Sequence, residues 1–165
     1  GTTKFVHVKN FDGLDADDFQ RIYGVNVVGA FQMVRALTPL LQKNPGSGVV
    51  NISSIAASTG LGSCLAYAAS KGALNTLTMS LARALGPAVR VNAIAPGFVE
   101  TTWLQNGMGA EKYNAGVAAY KARTALADII QPEDIATTAW YLGVDARKTT
   151  GEVLLVDAGT KLPPP

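Results

Sequence analysis

Cysteine and histidine occur once each in this chain, as Cys64 and His7, and that scarcity removes several kinds of chemistry. A lone cysteine excludes an intramolecular disulfide framework, and one imidazole with one thiol cannot build a zinc cluster. His7 is far in sequence from every serine of interest, which argues against a Ser-His-Asp hydrolase and for an exposed structural histidine. Charged residues make up only 16% of the chain, too few for a disordered segment, while 48% apolar residues among 165 are ample for the core of one domain. The net charge of +2 arises from scattered Lys and Arg, so neither a nucleic-acid footprint nor a polybasic membrane anchor is present. No apolar run reaches the roughly 18 residues of a membrane span, and Gly1-Thr2-Thr3-Lys4 has no signal-peptide core. The expectation is a soluble protein of a reducing, cytoplasmic compartment, with no partner among nucleic acids or membranes.

What is present is an alternation of helical and strand patterns. After a loop over 1–13, Asp15-Ala16-Asp17-Asp18 supplies a cap and negative charge, and Phe19, Ile22, Tyr23, Asn26, Val27, Ala30, Phe31, Val34, Leu37 and Leu41 recur at helical spacing. This predicts a long helix over about 15–43. Asn26 is its odd member, because a carboxamide on an apolar face needs partners, whether as a core polar group or a functional one. Asn44-Pro45-Gly46-Ser47-Gly48 is a turn, and Val49-Val50-Asn51-Ile52 reads as a buried parallel strand ending at Ser53 and Ser54. A loop over 55–65 leads to a helix running to about Leu85, with Leu74, Leu77, Leu81 and Leu85 toward the sheet. Gly86-Pro87 ends it, and Val89 to Ala95 is a second strand with Pro96-Gly97 at its carboxyl end. Residues 102–126 read as one or two short helices on hinges, Pro132-Glu133-Asp134 starts a helix to about Leu142, Glu152 to Asp157 is a third strand, and Pro163-Pro164-Pro165 is a frayed tail. Such alternation predicts one α/β domain over 1–165, a parallel sheet with helices on its faces and ligands beyond the carboxyl ends of the strands.

The chemistry concentrates in Ala66-Tyr67-Ala68-Ala69-Ser70-Lys71-Gly72. Tyr67 and Lys71 stand one helical turn apart on one face. A free phenol titrates near pH 10, so a role at neutral pH asks the ammonium to lower it by roughly three units, about 4 kcal/mol, in a partly desolvated cleft. Ser54 and Pro96-Gly97 fall at strand ends, and Tyr67 begins the helix after the Ser54 loop, so these features point to one crevice.

With these residues in place, the chain resembles the short-chain dehydrogenase/reductase family. The resemblance rests on Val25-Asn26-Val27-Val28-Gly29, Val50-Asn51-Ile52-Ser53-Ser54, Tyr67-Ala68-Ala69-Ser70-Lys71, Arg90-Val91-Asn92-Ala93-Ile94-Ala95-Pro96-Gly97 through Thr101, and Thr150-Gly151-Glu152 through Gly159. Ser54 precedes Tyr67 by 13 residues, the family's separation, which selects it over Ser53. The resemblance implies a Rossmann-like doubly wound parallel sheet and a ketone–alcohol oxidoreductase using NAD or NADP, similar to 3-oxoacyl-[acyl-carrier-protein] reductases and sugar or polyol dehydrogenases. Tyr67 would exchange a proton with the substrate oxygen and also contact the cofactor, and Ser54 would hydrogen-bond the same oxygen. Lys71 would hold the cofactor ribose and depress the tyrosine's pKa, and Asn26, through a local disturbance of its helix, would hold a water linking Lys71 to solvent. Pro96, Gly97, Phe98 and Val99 would line the nicotinamide, and Thr101 would contact its carboxamide or the pyrophosphate.

The resemblance also implies a lid over about 102–126, with Trp103, Leu104 and Met108 facing a partly apolar substrate, free or carrier-linked; Lys112, Lys121 and Arg123 read as a solvated helix face or, alternatively, as contacts for an acidic carrier protein. It further implies a homotetramer or homodimer through the helices 15–43 and 66–85. The family's opening strand with Thr-Gly-x-x-x-Gly-x-Gly is not in this sequence, and no apolar strand immediately precedes Gly60-Leu61-Gly62, which therefore does not replace it. Gly1 matches the end of the family's Asn-Asn-Ala-Gly segment, so the expectation is an incomplete sheet, about 85 to 90 residues and four strands short, with an unpaired edge beside the Ser54 strand. Two readings stay open on the sequence: an oxidoreductase, and a non-catalytic remnant that keeps only the oligomer surfaces.

Overall fold

The computed structural model describes residues 1–162; the tail at Pro163-Pro164-Pro165 lies outside the described residues. Asp15 opens helix α1 (Ala16–Tyr23) through a reciprocal cap. Its carboxylate accepts from the Asp18 amide at 2.8 Å, and Asp18 Oδ2 accepts from the Asp15 amide at 3.4 Å. The helix continues without a break through a π-helical turn, Gly24–Gly29, into α2 (Ala30–Leu41). The long helix expected over 15–43 thus spans Ala16–Leu41, widened at its centre. With a mean hydropathy of 1.2 in its most apolar window it is, by length and composition alone, long and apolar enough to cross a membrane, a test that core helices also pass. In the fold it forms one layer of the domain. Ile22 packs with Cys64 and Ala66, and Val34 packs with Leu81 and Val91.

Three parallel strands form the sheet in the order β1 (Ser47–Ile52), β2 (Val89–Pro96), β3 (Val153–Val156). Register runs from Ser47 opposite Val89 to Ile52 opposite Ile94, and from Ala93 opposite Val153 to Pro96 opposite Val156. β2 is buried along its whole length, as a strand covered on both faces must be. Alternation of side chains sorts the two layers. On one face Val49 and Val91 meet Leu77, Leu81 and Leu85 of α4 (Leu65–Leu85). On the other, Val50, Ile94, Leu154 and Val156 meet Ile135 and Leu142, on α7 (Pro132–Trp140) and the π-helical turn Tyr141–Asp145 that prolongs it. The expected doubly wound arrangement is therefore present over three strands. β1 pairs on one side only among the described residues, and Ile52 at its end is 47% exposed.

The connections are more ordered than the sequence suggests. The 55–65 loop contains a short helix, α3 (Ala56–Thr59), and the 102–126 stretch holds α5 (Thr102–Met108) and α6 (Ala110–Lys121). A bond the sequence does not announce closes the far end of the sheet. Arg90, buried in β2, donates through Nη1 to the carbonyls of Leu142 and Ala146 at 2.6 and 3.1 Å, and through Nη2 to those of Gly143 and Gly46 at 2.7 and 3.3 Å. These include orphan carbonyls at the negative end of the α7 helix, so the cation is balanced by dipoles where a carboxylate would otherwise be needed.

Arg90→Leu should therefore lower unfolding free energy by about 3 to 5 kcal/mol in urea titrations, since four carbonyls lose their donor. Arg90→Lys should recover less than half of the loss, because a single ammonium cannot span that fork of acceptors.

Candidate active site

Each candidate residue is set in place by a different element. Backbone bonds hold the ends of β1 and β2 together: the Ser53 amide donates to Ile94 O at 2.7 Å and the Ile55 amide to Pro96 O at 3.0 Å. Ser53 turns inward, its hydroxyl donating to Asn75 Oδ1 at 2.5 Å, and is buried. Ser54 turns to the crevice, its hydroxyl oxygen accepting from the Ala56 amide at 3.1 Å. Of the two hydroxyls, that of Ser54 is the one beside the Tyr67 phenol.

Helix α4 begins at Cys64, whose sulfur accepts from the Tyr67 amide at 3.4 Å. Two turns carry Tyr67 and Lys71 to the same crevice as Ser54. Burial pushes the Tyr67 phenol above the usual tyrosine range, and the Ser54 hydroxyl beside it offsets part of that rise. Lys71 is 5% exposed, and desolvation brings its ammonium down to about 8. Its Nζ donates to Ile52 O at 2.8 Å and lies 5.5 Å from the centre of the Tyr67 ring. The spacing argument, in which the ammonium depresses the phenol, is corrected here. The cation bonds a strand carbonyl and stands over the ring face, while both groups are desolvated.

Asn26 sits in the π-helical turn, so the local disturbance of its helix is present. Its amide donates to Thr2 O at 2.9 Å and to Ser70 Oγ at 3.0 Å, while its Oδ1 accepts from the Thr2 amide at 2.7 Å. Both amide hydrogens are committed, which leaves one lone pair of Oδ1 for a further partner. Asn26 is the one candidate that does not line the crevice.

Pro96, Gly97, Phe98, Val99 and Thr101 all line it. The Gly97 amide donates to Val156 O at 2.8 Å, and Val99 pairs with Ile130 as a short parallel bridge. Thr101 caps α5, its hydroxyl oxygen accepting from the Leu104 amide at 3.4 Å. Sequence reasoning missed Tyr120, whose buried hydroxyl donates to Asp157 O at 2.7 Å. A β-carbon at Gly97 would strike that hydroxyl, so glycine is required there by a neighbour within the protein as well as by any ligand. Phe98 packs against Tyr113 and Tyr120, with ring centres 5.8 and 5.6 Å apart. A tyrosine recurring at seven residues on a short helix was the only signal for this anchor. The crevice encloses about 1000 Å³ at the carboxyl ends of the strands.

An open α/β sheet with such a crevice, holding a serine, a tyrosine and a buried lysine side by side, defines a Rossmann-type protein with its ligand site at the strand ends. The chain belongs to the short-chain dehydrogenase/reductase family: the family model described as Enoyl-(Acyl carrier protein) reductase matches residues 1–161. It is 40% identical over 163 residues to a protein of Streptomyces violaceoruber assigned as granaticin polyketide synthase ketoacyl reductase 2, covering 98% of this chain and 64% of that one. A crystal structure from Burkholderia xenovorans assigned to the short-chain dehydrogenases/reductases superposes with a TM-score of 0.88 at 40% identity, over 99% of this chain and 63% of that one. A 4-hydroxyisoleucine dehydrogenase mutant complexed with NADH and succinate superposes with a TM-score of 0.84 at 28% identity, over 100% of this chain and 67% of that one. The chain thus spans less than two thirds of the length of the first two.

The Lys71 ammonium should titrate near pH 8 by NMR, against 10.5 for an ordinary lysine. Because the folded state releases this proton before the unfolded state does, the burial cost, about 3 kcal/mol, is fully present below pH 8 and relieved as pH rises from 8 to 10.5. The difference in unfolding free energy between the parent chain and Lys71→Met should shift by that amount across this window. A difference that stays flat from pH 7 to 10.5 would refute the shift.

Proposed function

We propose that this chain carries the catalytic part of an NAD(P)-dependent oxidoreductase that interconverts a ketone and a secondary alcohol. The observation that supports it most is the meeting of the Ser54 hydroxyl, the Tyr67 phenol and the Lys71 ammonium in one crevice that also takes in Pro96 to Val99 and Thr101.

The residues present suit the nicotinamide and ribose end of such a cofactor. The Lys71 ammonium has three donors and spends one on Ile52 O among the described residues, which leaves donors for ribose hydroxyls. Thr101 accepts as a helix cap and keeps its own hydrogen to donate. No Asp or Glu lines the crevice among the described residues, so an anionic cofactor meets no like charge there. When bound, NAD or NADP would supply hydride exchange with the substrate carbon.

The chain's own residues would do the rest. Tyr67 gives a proton from its hydroxyl to the substrate oxygen in reduction and takes it back in oxidation. Ser54 donates a hydrogen bond to the same oxygen and steadies the negative charge that develops there. A phenol held high by burial is a protonated donor at neutral pH, which suits reduction; a cation on Lys71 below pH 8 favours loss of that proton when it faces the hydroxyl. Asn26 positions Ser70 and Thr2 beside Lys71, and its remaining lone pair holds the water that connects the lysine to solvent. Pro96 to Val99 shape the nicotinamide wall. A homotetramer or homodimer belongs to this reading, with Val28, Met33 and Leu40 of the first long helix and Met79 of α4 at least half exposed.

Oxidation of NADH or NADPH by a ketone should be followed at 340 nm. Tyr67→Phe is expected to lower kcat by about 10²- to 10⁴-fold and Ser54→Ala by about 10²- to 10³-fold, the latter with cofactor fluorescence titrations unchanged. Unaltered turnover in Tyr67→Phe would remove the proton-transfer role.

A further inference from the structure

Besides the Ser54, Tyr67 and Lys71 group, the crevice has a hydrocarbon wall contributed by Phe5, Leu61, Leu65, Trp103, Leu104 and Met108. Several of these lie open: Phe5 is 38%, Trp103 46% and Leu61 64% exposed, although large apolar side chains gain by burial. Few free hydroxyls face this side. Ser63 Oγ pairs with Thr3 Oγ1 at 2.5 Å, and the one hydrogen Thr101 has to give is assigned above to the cofactor. His7, Lys112 and Arg123 also line the crevice, and all three are exposed.

Phe5 is fixed rather than incidental. On one side of it Lys4 pairs with Asp18 at 2.6 Å, and on the other the Val6 amide donates to Ser63 O at 2.9 Å. Its ring meets Trp103 with centres 5.7 Å apart, and a side chain at Gly107 would strike the Phe5 ring. The N-terminal segment and α5 thus close on each other through an aromatic contact that only glycine at 107 admits.

From this wall we infer the substrate class: a ketone or secondary alcohol on an uncharged hydrocarbon body, excluding polyols and keto acids. The inference rests on the oxidoreductase reading above. A polyol seated against this wall would leave several hydroxyls without partners, whereas a hydrocarbon exchanges its own and the wall's apolar surface out of water together. A carboxylate against the same wall would lose its hydration, and the exposed Lys112 and Arg123 that also line the crevice return little for it as solvated partners.

The test compares 2-decalone, a ketohexose and 4-oxopentanoate as substrates of the chain with NADH and NADPH. The expected result is a kcat/KM for 2-decalone about 100-fold above either of the others. Trp103→Ala should shrink that preference about tenfold, chiefly through KM, and Leu61→Asp, in an exposed loop position, should do the same if the tryptophan variant does not fold. A binding readout separates this inference from the one beneath it. The chain has two tryptophans, so in Trp140→Phe the remaining indole is Trp103, and 2-decalone should change its emission saturably. A ketohexose or 4-oxopentanoate preferred over 2-decalone would overturn the substrate class and leave the oxidoreductase reading standing. Saturable emission change without turnover of any ketone would support apolar recognition and overturn the oxidoreductase reading. Neither turnover nor emission change with 2-decalone would overturn the inference.

Discussion

The hydrogen bond from the Lys71 ammonium to the Ile52 carbonyl, at 2.8 Å, is the constraint on which the site depends. It ties α4 to the last residue of β1, and β1 is itself in register with β2 up to Ile52 opposite Ile94. Once Lys71 is fixed there, Tyr67 lies one turn back along α4 and comes against Ser54 beyond the strand's end. Removing a cation from water is costly unless it finds acceptors. Here the acceptor is a backbone dipole, which holds the charge without neutralising it. Arg90 repeats the device at the opposite end of the sheet, with four carbonyls around one guanidinium. The two ends differ in what is left over. The guanidinium's terminal nitrogens are occupied, whereas the ammonium retains donors on the crevice side.

Much of the layout was legible because burial leaves a period in the sequence. Val49 and Val50 face opposite layers as strand residues must, and Leu77, Leu81 and Leu85 recur at the spacing that puts them on β1 and β2. The position of each strand along the chain followed from that frame, and the preference for Ser54 over Ser53 from the family motifs. Other features leave no period. A π-helical turn adds a fraction of a turn to a helix whose apolar stripe continues on both sides, so only the buried Asn26 hinted at it. The membrane-length hydropathy of Ala16–Leu41 was hidden for a related reason, because polar residues break its runs without lowering its average far.

The sign of the Tyr67 shift was out of reach for a more instructive reason. Spacing of four residues fixes that two side chains can meet, and says nothing of which atom the ammonium will bond. The lysine bonds a strand carbonyl and stands over the phenol ring, and burial dominates both groups. A sequence argument that assigns a charge effect from spacing alone is therefore weakest where the side chain is longest and backbone acceptors lie near.

The two helices over the crevice are held unequally. α6 is fastened from below: Tyr113 and Tyr120 are buried around Phe98, and the Tyr120 hydroxyl reaches Asp157 through the space that Gly97 leaves. α5 has no buried residue, and its one aromatic contact is the Phe5 to Trp103 pair at the crevice edge. Gly109, with φ of 81°, separates the two in a backbone conformation that other residues adopt at a cost. Few buried contacts mean a low local free energy of opening, so α5 is the more weakly held of the two. Of the crevice's hydrocarbon wall, Trp103, Leu104 and Met108 lie on the weakly held α5, whereas Phe5 is anchored by Lys4 and Val6 on either side of it.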